Sequence, residues 1–189
     1  MSLTHSNMLP LGTQLPNLEL PDLDGDRFSL VEIRGSGVLA VVFACNHCPY
    51  VRHVENGIGK VSAEFADRDV SFVTICSNDV NEFPDDDVAG LRNQAGRAGW
   101  HFPYLIDTDQ EAAAAFRAAC TPDFFVFDRN GALAYRGALD ASSPGNGIPV
   151  TGTVLREALI LITSGQPVPE PHRPAMGCNI KWLPGNEPR

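Results

Sequence analysis

Apolar positions along this chain follow three different rhythms. The first is continuous: Val38-Leu39-Ala40-Val41-Val42-Phe43 contains no polar position. Such a run predicts a strand covered on both faces, as in an α/β sheet. After Pro49 the spacing changes to threes and fours. Val51, Val54, Ile58, Val61 and Phe65 mark one face of a helix, with Gly57 and Gly59 weakening its middle and inviting a kink. Asp67-Arg68-Asp69 closes that segment, and Val70 to Cys76 reads as a second buried strand. Strand, helix and strand in this order predict a right-handed parallel crossover.

Shorter signals flank this unit. Leu18 to Leu30 reads as a hairpin turned at Asp24-Gly25. Val88 to Ala98 and the alanine-rich Gln110 to Ala119 read as helices, with a short strand over Phe102 to Ile106 between them. Phe124 to Phe127 and Ala132 to Tyr135 predict a hairpin around Arg129-Asn130-Gly131, and Leu155, Leu159 and Ile162 mark a last helix. From Gln166 the chain is proline-rich and predicts an extended tail lying over the body. No linker divides the chain. The expectation is one α/β domain over 1–189, with a core over about 11–165 and a tail over 166–189.

Composition narrows the partners. Among 189 residues the formal net charge is −9, and no basic run exists, which argues against nucleic acid and anionic membranes. Asp85-Asp86-Asp87 reads as a solvated loop or helix start. Met1 to Pro10 carry neither a basic nor an apolar stretch, so no signal peptide is expected, and no apolar run is long enough to span a bilayer. The expected compartment is the cytoplasm. There, five irregularly spaced cysteines are expected to be catalytic, metal-binding or buried rather than structural disulfides.

Cys45-Asn46-His47-Cys48-Pro49 lies where the first buried strand meets the first long helix. A helix N-terminus stabilises a thiolate, and two intervening residues let two sulfurs meet across one turn. Pro49 suits a first helical position because it needs no N–H. His47 can add positive charge or a hydrogen bond beside Cys45. On this reading Cys45 is the more exposed and more acidic thiol, and Cys48, one turn in, is shielded. The alternatives are zinc, which wants four ligands in a closed structural site, and two idle buried cysteines. No second C-x-x-C or ordered histidine pair is present, so no metal is expected. Thr121-Pro122, just before a strand, is a candidate cis bond that would present its backbone to a substrate.

The order C-x-x-C-Pro, then Thr-Pro, then a strand and an Asp-x-x-Gly hairpin resembles the thioredoxin superfamily. The N-terminal hairpin and the insertion before Thr121-Pro122 resemble its redoxin branch, which includes the alkyl hydroperoxide reductase/thiol-specific antioxidant proteins and the thioredoxin-like disulfide reductases. Phe43 to Val51, Cys120 to Phe125 and Gly177 to Trp182 look like a group of uncharacterised bacterial thioredoxin-family proteins. The resemblance implies a central mixed sheet flanked by helices, with an N-terminal hairpin extension. It also implies thiol–disulfide exchange in which Cys45 attacks, Cys48 resolves, Asn46, His47 and Pro49 tune the pair, and Thr121 and Pro122 hold substrate. No cofactor is implied. The partners would be protein or small-molecule disulfides and an unidentified reductant, with the oligomeric state left open.

Two departures stand out. Ala44 occupies the position of thioredoxin's tryptophan, and Val38 to Phe43 lack thioredoxin's buried carboxylate, so the usual proton acceptor is missing or replaced. The peroxiredoxin pattern Pro-x-x-x-Thr/Ser-x-x-Cys is met by neither Cys45 nor Cys48. A thiol peroxidase is therefore the second reading, and a non-catalytic zinc or binding module the third. Cys120, directly before Thr121-Pro122, and Cys178, in the tail, are candidate accessory or resolving thiols with packing roles as their alternatives.

Overall fold

The structure, a computed structural model, describes residues 3–188. In chain order its strands are β1 (Leu3–His5), β2 (Glu19–Pro21), β3 (Arg27–Ser29), β4 (Val38–Phe43), β5 (Val70–Cys76), β6 (Tyr104–Ile106), β7 (Cys120–Thr121), β8 (Asp123–Phe127), β9 (Leu133–Gly137) and β10 (Met176–Asn179). Its helices are α1 (Leu30–Arg34), α2 (Pro49–Phe65), α3 (Val88–Ala98), α4 (Glu111–Ala115) and α5 (Thr153–Thr163), with one 3-10 turn at Pro84–Asp86. No helix among the described residues is long and apolar enough to cross a membrane.

The continuous apolar run becomes the centre of a five-stranded mixed sheet of order β6-β5-β4-β8-β9. β4 pairs parallel with β5 and antiparallel with β8. Every β4 residue is buried because the strand feeds two cores. Val38, Ala40 and Val42 face α2 and α5, while Leu39, Val41 and Phe43 face the side of α1 and α4. On the latter side Phe43, Phe116 and Phe125 meet edge to face, with centroids 5.2 to 5.8 Å apart.

The expected helical face of α2 is the buried one, but the helix runs on without a break at its glycines. Gly59 is required by close approach: a Cβ there would lie 2.4 Å from the carbonyl oxygen of Ala98 at the end of α3. The N-terminal hairpin is present as β2 and β3. The alanine-rich helix is shorter than its composition suggests. Helix α4 stops at Ala115, and Arg117 adopts a left-handed φ of 49° so that the chain can turn back into β7.

The tail departs most from expectation. It is not merely extended, because Met176–Asn179 forms β10, which pairs antiparallel with both β1 and β7 in a second sheet. Gly177 permits this, since a Cβ would fall 1.9 Å from the Thr121 carbonyl oxygen. Backbone from one end of the chain is thereby pressed against the turn that precedes β8.

Candidate active site

Cys45 and Cys48 lie in the loop joining the end of β4 to α2. Cys48 is the residue that caps α2, and Pro49 takes its first position. The loop is held from several sides. Arg52 Nε donates to the Asn46 carbonyl at 2.7 Å, and Gln94 Nε2, from α3, donates to the Cys45 carbonyl at 3.0 Å. Arg97 donates to Asn46 Oδ1 at 2.8 Å while pairing with the buried Glu55 of α2. Arg52 therefore positions backbone and touches neither sulfur.

The Thr121–Pro122 bond is cis and faces the pair. Cys45 Sγ lies 3.5 Å from Thr121 Oγ1, and the Cys48 thiol donates to the Thr121 carbonyl at 3.2 Å. Both cysteines have no exposed surface, so Cys45 is not the more accessible one. Beside Pro122 opens a cleft of about 320 Å³ whose walls include Tyr50, Val54, Phe124, Leu139 and Met176.

His47 reaches away from its expected partner. Its Nδ1 lies 2.6 Å from Asp86 Oδ2 and 3.7 Å from Cys45 Sγ. An ionised carboxylate only accepts, so the Nδ1 proton belongs to Asp86, and Cys45 receives at most a share of it. The ring stacks on Phe83 with centroids 4.8 Å apart. Asp86 also accepts from the backbone N–H groups of Asn46 and His47 at 2.8 and 2.9 Å, and from Asn78 Nδ2 at 2.8 Å. Burial pushes the Asp86 carboxyl up, but these donors together outweigh it and hold the group below its ordinary value.

The two sulfurs consequently sit in opposite surroundings. Burial, the hydrogen bond with Cys48 and the nearby Asp86 carboxylate all push the Cys45 thiol up. Cys48 is lowered by the hydrogen bond from Cys45; burial opposes this, while Thr121, the Val51 backbone N–H in the first turn of α2 and the Cys178 side chain add to it. The carboxylate on the Cys45 side opposes a thiolate at that sulfur, while the Cys48 thiol donates to the Thr121 carbonyl. Nothing in the motif shows that a carboxylate would arrive on the Cys45 side.

Cys45, His47 and Asp86 form the one group of potential metal ligands among the described residues, their ligand atoms lying within 4.8 Å of one another. Each Asp86 oxygen already accepts two hydrogen bonds, leaving this carboxylate poorly disposed to bind a cation.

A family model described as AhpC/TSA matches residues 11–136 of the chain. The protein belongs to the AhpC/TSA family. It is similar to an uncharacterised conserved protein of Geobacillus kaustophilus, at 44% identity and a TM-score of 0.94 over 98% of each chain. It is 30% identical over 118 residues to a candidate peroxiredoxin of Mycobacterium tuberculosis, covering 61% of this chain and 69% of the relative. It is 22% identical over 129 residues to the thiol-disulfide oxidoreductase ResA of Bacillus thuringiensis, covering 65% of this chain and 66% of the relative. The fold of this AhpC/TSA protein is thioredoxin-like.

Of the other candidates, Cys120 is buried with its thiol turned toward the Pro122 carbonyl at 3.7 Å, and burial, followed by Asp123, raises it. Cys178, brought in by β10, is in hydrogen-bonding contact with Cys48. Two members of the site escaped the sequence reading. Asp86 lies in a run of three aspartates taken for a solvated stretch, yet only 1% of it is exposed. Asp123, wholly buried behind Pro122, accepts from Ser6 Oγ at 2.8 Å and leaves Oδ2 without a partner. Burial pushes its carboxyl up to about 7. A polar residue directly after a Thr-Pro and before four apolar residues was the available signal for Asp123.

Proposed function

We propose that this AhpC/TSA protein carries out reversible dithiol–disulfide exchange through Cys45 and Cys48. The observation that carries the reading is the contact between the two sulfurs at the N-terminus of α2, under the cis Thr121–Pro122 turn. A thiolate at a helix start is the nucleophile such exchange requires, and a second thiol within reach completes it. The thiolate attacks one sulfur of a partner disulfide and releases the other as a thiolate, which takes up a proton. The second cysteine, losing its proton, then attacks the mixed disulfide and frees the partner as a dithiol. One of the two, Cys45 or Cys48, makes the first attack and the other resolves. Thr121 and Pro122 flank the sulfurs, and the adjoining cleft gives an extended partner segment room to lie. The partners would be disulfides of proteins or small molecules.

The resemblance to a candidate peroxiredoxin favours peroxide reduction as the second reading. The arginines that brace this loop are engaged with Asn46 and Glu55 rather than with either sulfur, which supports exchange over peroxide cleavage. Thiol counting tests the choice. Oxidised glutathione should remove two thiols and link Cys45 to Cys48, with no zinc released by a chelator. Intact thiols after oxidation, or chelator-released zinc in the native protein, would refute the proposal. Fast peroxide consumption with a sulfenic acid at Cys45 or Cys48 would transfer the protein to the second reading.

A further inference from the structure

Cys48 has two thiol neighbours, not one. Cys45 meets it from within the motif, and Cys178 meets it from β10. The second contact is built into the backbone. Cys178 pairs with Thr121 across the β10–β7 ladder, and Thr121 is the residue whose carbonyl accepts the hydrogen bond from the Cys48 thiol. Gly177 lets that ladder close without a side chain in the way. Cys178 is 3% exposed, so its sulfur is directed inward rather than toward solvent.

We propose that Cys178 is a third redox thiol, which attacks Cys48 and moves the disulfide from Cys45–Cys48 to Cys48–Cys178. This rests on the exchange reading above. In the step, the Cys178 sulfur bonds to Cys48 Sγ, the Cys45–Cys48 bond breaks, and the proton lost by Cys178 ends on Cys45. One disulfide is made and one is broken, so no outside oxidant is needed. The same attack can release a partner held on Cys48 as a mixed disulfide, the departing partner sulfur taking the proton.

The environment of Cys178 changes with the state of Cys48. In the reduced protein burial comes first, and the hydrogen bond and charge of Cys48 add to it, pushing the Cys178 thiol up to about 12. A Cys48 sulfur engaged in a disulfide carries no charge, so that part of the restraint disappears when an attack becomes useful. Lys181, three residues on, pulls in the opposite direction.

The test uses Cys45→Ser, which has only Cys178 left beside Cys48. Treated with oxidised glutathione, acid-quenched and digested with trypsin, it should yield the peptide carrying Cys48 joined to the peptide carrying Cys178. Adding Cys178→Ala should slow glutathione release from Cys48 by roughly tenfold or more, as expected when an intramolecular nucleophile is lost. The inference is overturned if glutathione stays on Cys48 while Cys178 remains alkylatable in a folded Cys45→Ser protein. If that variant does not fold, equilibrated oxidised wild type decides: the joined peptides support the step, and their complete absence overturns it. A Cys45–Cys48 bond in wild type without any bond to Cys178 would defeat this inference alone, whereas no disulfide at all would defeat the exchange reading.

Discussion

Asp86 and Asp123 are both carboxyls removed from solvent, 1% and 0% exposed, one bonded to His47 of the cysteine loop and the other next to Pro122, yet their acidities diverge. Asp86 has four donors on its two oxygens, one of them an imidazole, and is held below its ordinary value despite its burial. Asp123 has one hydroxyl donor from Ser6 and backbone help from Ala119 and Phe124, keeps one bare oxygen, and rises to about 7. Burial is common to both, so the supply of hydrogen-bond donors decides which one keeps its charge. The two sulfurs differ as well: Cys45 lies toward the charged carboxylate, and the Cys48 thiol lies against the Thr121 carbonyl.

Removing the well-supplied carboxylate should have the largest effect. Asp86→Ala strands two backbone N–H groups, Asn78 and His47, and should destabilise the protein by about 3 kcal/mol, read by denaturant unfolding. Stability unchanged to within experimental error would show that this side of the site is not held by Asp86. In the milder Asp86→Asn, Cys45 should ionise at a lower pH than in wild type, read by alkylation rate in a Cys48→Ser background.

The tail side should respond somewhat less. Gly177→Ala puts a methyl into the Thr121 carbonyl and should destabilise by about 2 kcal/mol, as overpacking does. It should also speed amide exchange in β10 and β1. A variant as stable as wild type, with β10 still protected, would mean the ladder tolerates more separation than its geometry allows.

A further test comes from pH. Folding favours protonated Asp123, so the stability it contributes is complete below its ordinary value of 3.8 and is lost as pH rises through about 7. For Asp86 the sign reverses: its contribution is present above 3.8 and is lost as pH falls through its lower folded value. Asp123→Asn should therefore flatten the stability profile between about pH 4 and pH 7, by at most about 1.4 kcal/mol per pH unit. A profile parallel to that of wild type would show that Asp123 does not titrate there.

Much of the scaffold was legible because it follows from periodicity. A run with no polar position must be covered twice, and β4 is, by two separate cores. The three-and-four spacing after Pro49 named the buried face of α2. What was not legible depended on distant neighbours. Asp85, Asp86 and Asp87 are chemically identical and adjacent, yet the first offers its carbonyl to Asn46, the second is buried under His47, and the third caps α3. No local pattern separates them. The glycines of α2 looked like weak points, but the adjoining end of α3 makes the absence of a side chain at Gly59 necessary. Helix propensity overstated α4, because alanine content says nothing about where the chain must reverse to begin β7. The cysteine motif gave the candidate pair, while β10 and the third sulfur depend on a strand too short to announce itself.

The pairing of β10 with β7 also fixes an order of events during synthesis. Cys45 and Cys48 leave the ribosome early, whereas Cys178 follows more than a hundred residues later. At ordinary translation speeds that delay is on the order of ten seconds, long compared with the formation of a helix or a hairpin. The nascent protein therefore passes through a stage in which the first two sulfurs are already near each other and the turn at Thr121 has no strand beside it. The third thiol joins only when β10 docks, so the environment of Cys48 changes again once that strand has been made.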